Sequence, residues 1–116
     1  MNDHEVDPHQ KWLTLEQAAD QLGVKLQRME QYLRDGQMVA RRGTDGVVVP
    51  ALSVGETGPV KGLPGVITLL RDARFSDEEI IDWLLRADDS IPGTPLAALA
   101  ENRGTEIKRR AQVAGY

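Results

Sequence analysis

The chain has 116 residues and contains no cysteine; 41% of its residues are hydrophobic and 28% are charged. This length predicts one domain or two small ones, and the missing cysteine excludes disulfide frameworks, zinc-thiolate fingers and cysteine catalysis. The net charge of −4 argues against a histone-like protein that coats polyanions without sequence preference. No apolar run reaches the ~20 residues of a membrane-spanning helix. We therefore expect a cytoplasmic protein with no membrane partner.

Residues 1–11 predict a disordered acidic tail, because they hold three acids, two histidines and a proline without any periodic apolar pattern. His4 and His9 could ligate a metal together with the neighbouring acids. A flexible tail does not enforce a ligand geometry, however, so we predict no metal site, and no cofactor is predicted elsewhere in the chain.

A helix-turn-helix is predicted after this tail. Thr14 and Gln17 fit a capping box that begins the first helix, whose apolar residues then recur at helical spacing. Gly23 ends this helix, since a residue without Cβ readily adopts the left-handed conformation that reverses the chain. A second helix is predicted over residues 25–35.

The period of the apolar pattern changes after the second helix. Two β-prone runs, residues 38–42 and 47–50, flank the loop 43–46, which contains glycine and aspartate. This arrangement is typical of a β-hairpin, and Pro50 closes the second strand. Residues 12–54 therefore predict a winged helix-turn-helix with a two-stranded wing.

The rest of the chain is predicted to be helical, so the fold class is mainly α. Residues 55–62 are rich in glycine and proline and predict a connector. Residues 63–116 predict a C-terminal domain of three to four helices. Its signals in chain order are an apolar segment at residues 63–73, a Ser76–Glu79 capping box, a Pro92–Gly93 turn, a Thr94 cap before Pro95, and a basic last helix to Tyr116.

The second predicted helix and the wing carry side chains suited to DNA. Residues 25–42 hold five basic and two acidic side chains, a local charge of +3 in an acidic protein. Gln can bond adenine with two hydrogen bonds and Arg can bond guanine in the same way, while cations near the wing can contact phosphates. The same charges also suit the solvated face of a small helical protein. The predicted DNA-binding residues are Gln27, Arg28, Gln31 and Arg34 for the major groove, and Lys25, Arg41 and Arg42 for phosphates.

Arg41 and Arg42 are adjacent in a predicted strand. Successive side chains of a strand point to opposite faces, so one of these two arginines is expected to face the solvent beside the wing loop. The pattern does not say which one.

Residues 13–54 resemble the excisionase and MerR-type winged helix-turn-helix, through Leu13-Thr14, the alanine pair before the turn, and Leu22-Gly23-Val24. The continuation over residues 60–85 and the terminal KRRAQVAGY make the chain similar to a small actinobacterial family of winged-helix DNA-binding proteins, which includes a mycobacterial substrate of a Ser/Thr kinase. This similarity implies double-stranded DNA as the partner and a role in transcription regulation or in the nucleoid.

Two departures from this resemblance matter. Ser or Thr usually stands at the position of Lys25, so the second helix has a poorer cap than is typical. No Ser or Thr precedes Thr14, so phosphorylation of the tail is not expected.

The C-terminal helices have several possible roles. Residues 82–116 are similar to the C-terminal module of Xre/MbcA/ParS-type antitoxins, through Trp83, the turn at residues 92–96 and the break at Gly104. The resemblance implies a homodimer or a protein partner; a helical cap that completes the core of the wing domain is the simpler role. An excisionase-type recombination factor is a further alternative for the whole chain.

No enzyme is predicted. The sequence holds no glycine-rich phosphate cradle, and both histidines lie in the tail, away from any Ser/His/Asp set.

Overall fold

The structure is a computed structural model that describes residues 11–44, 46–87 and 93–114. Residues 1–10 of the predicted acidic tail, with His4 and His9, lie outside the described residues. Lys11, the last residue of the predicted tail, is described, and its carbonyl accepts from the Ala51 N–H at 2.9 Å. Within them, the chain forms three short strands and six α-helices. The elements are β1 (Trp12–Thr14), α1 (Leu15–Leu22), α2 (Leu26–Arg34), β2 (Arg41–Gly43), β3 (Gly46–Pro50), α3 (Leu63–Asp72), α4 (Asp77–Leu85), α5 (Pro95–Ala100) and α6 (Gly104–Val113).

The helix-turn-helix forms as the sequence predicts. The Thr14 hydroxyl accepts from the Gln17 N–H at 3.1 Å, and the Gln17 side chain accepts from the Thr14 N–H at 2.9 Å, which completes the capping box of α1. Gly23 has a φ of 70° and ends the helix in the left-handed conformation. Lys25 occupies the N-cap position of α2 without a side-chain hydrogen bond, in agreement with its poor capping chemistry.

The described strands form one antiparallel sheet in the order β1-β3-β2. The hairpin of β2 and β3 confirms the predicted wing, and the sheet has a third strand, β1, that the sequence pattern does not predict. In β1, Trp12 lies opposite Pro50, so the proline that closes the central strand β3 pairs with the first residue of β1.

The wing is shorter than predicted. Its first strand begins at Arg41 and not at Met38. Met38 and Val39 precede the strand and are buried in the core. Gly43 pairs with Gly46 across the hairpin, so the connection is tighter than the predicted four-residue loop. The tip residue Asp45 lies outside the described residues.

Two of the four C-terminal helices, α4 and α5, begin at the predicted capping residues. The Ser76 hydroxyl accepts from the Glu79 N–H at 3.2 Å and the Glu79 carboxylate accepts from the Ser76 N–H at 2.8 Å, which forms the capping box of α4. Thr94 caps α5, and its hydroxyl accepts from the Ala97 N–H at 3.1 Å. The last helix ends at Val113, before the predicted end at residue 116, which is itself not described.

One hydrophobic core runs through both parts of the chain. Met29 of α2 and Val49 of β3 belong to the same buried cluster as Leu70, Leu96 and Ile107 of the C-terminal helices. In addition, α4 packs against β2, and α5 packs against the 3₁₀ turn that follows β3. The C-terminal helices thus complete the core of the winged unit and hold its wing from one side.

Candidate nucleic-acid interface

The turn between α1 and α2 brings the second helix to the surface. The Val24 N–H donates to the Ala19 carbonyl at 3.0 Å, which closes the chain reversal at Gly23. Ala18 and Ala19 are buried and small, so α2 can pack closely against α1. On α2, Met29 is completely buried, and this contact fixes which face of the helix points to the solvent.

The exposed face of α2 brings together the residues predicted to enter the DNA groove. Gln27, Arg28, Gln31 and Arg34 are all exposed, and they line one open concavity together with Lys25 and the turn residues Gly23 and Val24. Glu30 is also exposed but does not line this concavity. We refer to Lys25, Gln27, Arg28, Gln31 and Arg34 as the α2 surface.

The cations of this region are available to an external ligand. Within the described part of the chain, the side chains of Lys25, Arg28, Arg34 and Arg42 form no hydrogen bond or ion pair. A guanidinium without an internal carboxylate partner keeps all five N–H donors for a phosphate or a base edge. The described residues therefore place a positive, uncompensated surface on an acidic protein.

The two arginines of β2 point in opposite directions, as strand alternation requires. Arg42 is exposed, whereas the Arg41 side chain keeps only 20% of its exposure. The Arg41 Nε donates to the Glu78 Oε1 at 2.9 Å, and its second terminal nitrogen, Nη2, donates to the Asp82 Oδ1 at 2.7 Å. Its Cζ also lies 5.3 Å from the centroid of the Trp12 ring, within the range of a cation–π contact.

This placement bears on the predicted phosphate contact of Arg41. The Arg41 guanidinium is held by two carboxylates and an indole ring, so it is not presented to a ligand as Arg42 is. The α2 surface and Arg42 are exposed, and all seven predicted contacts, Arg41 included, stay predictions.

Comparison with known proteins places the chain in a family. The model for the winged helix-turn-helix domain of DNA-binding protein Rv2175c matches residues 1–52, and the model for the Rv2175c C-terminal domain of unknown function matches residues 60–115. The DNA-binding protein Rv2175c of Mycobacterium tuberculosis is 35% identical over 98% of this chain and 87% of its own length. The chain belongs to the Rv2175c family.

The fold agrees with that of the solved relative. The NMR structure of Rv2175c superposes with a TM-score of 0.83 at 34% identity, over 96% of this chain and 85% of the other. The two family models divide the chain into a winged helix-turn-helix part and a C-terminal part. The description of the C-terminal model names no function, so the homodimer or protein partner predicted for these helices stays a hypothesis.

The residues around Arg41 are the part of this Rv2175c-family site that sequence reasoning missed. Glu78 and Asp82 lie four positions apart, so both carboxylates project from the same side of α4. The first-turn acids of α4 suit its helix dipole, which accounts for Glu78 without any reference to the wing. A repulsive pair of acids at this spacing is the one local signal that a cation from elsewhere belongs between them.

Other classes of site have little support in the described residues. No group of three or more metal-ligating side chains comes together among them. None of the described helices combines the length and apolar character that crossing a bilayer requires.

Proposed function

We propose that this protein binds double-stranded DNA, with α2 in the major groove and the wing on the adjacent sugar-phosphate backbone. The observation that carries the proposal is the α2 surface: two glutamines, two arginines and a lysine line one concavity, while the opposite side of the same helix is packed into the core. The major groove is about 12 Å wide and admits one α-helix in this manner. The name of the M. tuberculosis relative, a DNA-binding protein, supports the same function.

The chemistry of the side chains assigns their roles in this proposal. Arg28 and Arg34 can each donate two hydrogen bonds to guanine, and Gln27 and Gln31 can pair with adenine. Lys25, at the beginning of α2, and Arg42, on the solvent face of the wing, supply the phosphate contacts.

We further propose that the protein acts as a transcriptional regulator or a nucleoid-associated factor, in the cytoplasm where bacterial DNA is found. One copy neutralises few phosphates, so its affinity is expected to be modest and to fall steeply as salt rises. Two copies would place their α2 helices in half-sites about 10 base pairs apart.

Replacing Arg42 by alanine tests the wing contact. Loss of one phosphate contact is expected to weaken binding to all duplex sequences alike and to reduce the slope of log K against log salt by about 0.9. The measurement is a fluorescence-anisotropy titration from 50 to 200 mM salt, with Arg86→Ala as the control, since Arg86 is exposed but lies at the end of α4. An unchanged slope in Arg42→Ala would remove the wing from the interface.

Replacing Lys25 by serine is expected to have opposite effects on stability and on DNA binding. The serine hydroxyl can cap α2, which now has no side-chain cap, so the free energy of unfolding should rise by about 0.5–1 kcal/mol. Loss of the ammonium should reduce the salt slope of DNA binding by about 0.9. Chemical denaturation measures the free energy of unfolding, and the same anisotropy titration measures the salt slope. Lys61→Ser is the control, because Lys61 is an exposed lysine outside the α2 surface. Unchanged DNA binding would exclude Lys25 from the contacts.

A further inference from the structure

We propose that Arg41 is a positioning residue: together with Glu78, Asp82 and Trp12 it fixes the wing against α4, so that the C-terminal helices set the affinity for DNA. This inference rests on the proposed function, and it assigns to Arg41 a role in which its guanidinium never contacts the DNA. We call these four residues the wing clamp.

The wing clamp joins three elements that are distant in sequence. Arg41 lies on β2, Trp12 on β1, and the two carboxylates on α4. The guanidinium bonds both carboxylates, at 2.9 Å and 2.7 Å, from two different nitrogens. Its Cζ lies over the Trp12 ring at the same time, so the guanidinium is restrained by a contact on β1 as well as by the two carboxylates on α4.

The restraint on Arg41 is transmitted to Arg42 through the strand. Arg41 pairs with Val48 and Arg42 with Val47, so both lie within the ladder of the hairpin and cannot rotate independently. Because neighbouring side chains alternate between faces, holding Arg41 toward α4 directs Arg42 to the solvent side. A released Arg41 would let the short hairpin change its angle to α2 and move Arg42 away from the DNA backbone.

The contact also links the two halves recognised by the family models. Arg41 lies within residues 1–52 and its carboxylate partners lie within residues 60–115. The wing therefore takes its orientation from the part of the chain whose family description names no function.

One double substitution changes the DNA affinity in opposite directions depending on whether Arg41 positions the wing or contacts the DNA directly. Glu78→Gln with Asp82→Asn removes two negative charges from an acidic protein, which by electrostatics alone should tighten DNA binding. If Arg41 contacted phosphate directly, releasing it from its carboxylates should tighten binding further. If it positions the wing, the double variant should instead bind about three- to tenfold more weakly.

The experiment compares dissociation constants for duplex DNA at several salt concentrations. The control is Glu56→Gln with Asp72→Asn, which removes the same charge from two exposed acids that have no ion pair in the described structure. Arg41→Lys keeps the cation but cannot bond two carboxylates in a planar fork, so it should also weaken binding three- to tenfold with an unchanged salt slope. A cycle that combines Arg41→Ala with the Glu78/Asp82 changes should show non-additive losses, as expected when both act through one contact.

Each outcome decides the proposal. Binding by the Glu78/Asp82 variant that is as tight as in the Glu56/Asp72 control, or tighter, overturns it. A loss of stability in the Glu78/Asp82 variant with unchanged DNA affinity in its folded range also overturns it, because the clamp would then be structural only.

A second readout does not depend on DNA. Amide hydrogen exchange at Val48, which lies opposite Arg41, should be faster in the Glu78/Asp82 variant than in the control variant. If the parent protein binds no duplex at low salt, the proposed function fails, and equal exchange rates at Val48 would then separately overturn the clamp.

Discussion

Arg28→Ala is expected to weaken binding to a specific DNA duplex by about 1–3 kcal/mol, which is a five- to 150-fold increase in Kd. The reason is that Arg28 is exposed and belongs to the α2 surface. Within the described structure it forms no hydrogen bond or ion pair that would have to break before it binds a base. An arginine with these properties can place two N–H donors on the O6 and N7 of one guanine. The loss should be greatest for the preferred duplex and small for random DNA.

The matched control for this variant is Arg109→Ala. Arg109 is also an exposed helical arginine without an ion pair in the described structure, but it lies on α6, outside the α2 surface. Both variants lose one charge, so a purely electrostatic effect would be similar in the two. Selection of bound fragments from genomic DNA supplies the preferred duplex, and competition with random duplex measures specificity. An equal effect of the two substitutions would contradict a base contact by Arg28.

Gln31 provides a check on the same surface. Its amide carries both a donor and an acceptor, which match the N6 and N7 of adenine, and it carries no charge. Gln31→Ala should therefore relax the sequence preference at one base pair while leaving the salt dependence as it is in the parent.

The helix-turn-helix could be predicted from sequence because its signals are local. Thr14 and Gln17 bond one another across three residues, and Gly23 ends α1 by its own backbone conformation. The exposed face of α2 followed from the same short-range periodicity, once Met29 was assigned to the core. Features of this kind need no knowledge of distant residues.

Strand β1 could not be predicted for the opposite reason. Three residues are too short to establish a period of two, and β1 is held by pairing with β3, more than 30 positions along the chain. Nothing near Trp12 indicates that Pro50 will lie opposite it.

The orientation of Arg41 could not be predicted for the same reason. Strand alternation predicts that one of two adjacent arginines faces the solvent, and the structure agrees. Which one depends on carboxylates at residues 78 and 82, which only the packing of α4 on β2 brings to the wing. The sequence pattern therefore predicts which side chains of α2 are exposed, but not which arginine of the wing is exposed.

Leu70→Ala tests whether the winged unit and the C-terminal helices unfold together. Leu70 lies on α3, is completely buried, and belongs to the cluster that also contains Met29 and Val49. Removing three carbons there should lower the free energy of unfolding by about 2–5 kcal/mol, through lost burial and the cavity left behind. The total for a domain of this size is about 5–15 kcal/mol, so the loss is large enough to measure by denaturation.

Leu52→Ala is the control, because it removes the same three carbons from an exposed leucine. Leu52 keeps 39% of its exposure, so Leu52→Ala should cost less than about 1 kcal/mol. Because the core is continuous, Leu70→Ala should leave one unfolding transition and reduce the amide protection of α2 at Met29 as much as that of α3. Two separate transitions, with the protection of α2 unchanged, would show that the winged unit is stable without the C-terminal helices. Under that result α4 could not fix the wing through the core, and the contacts of Arg41 alone would have to orient it.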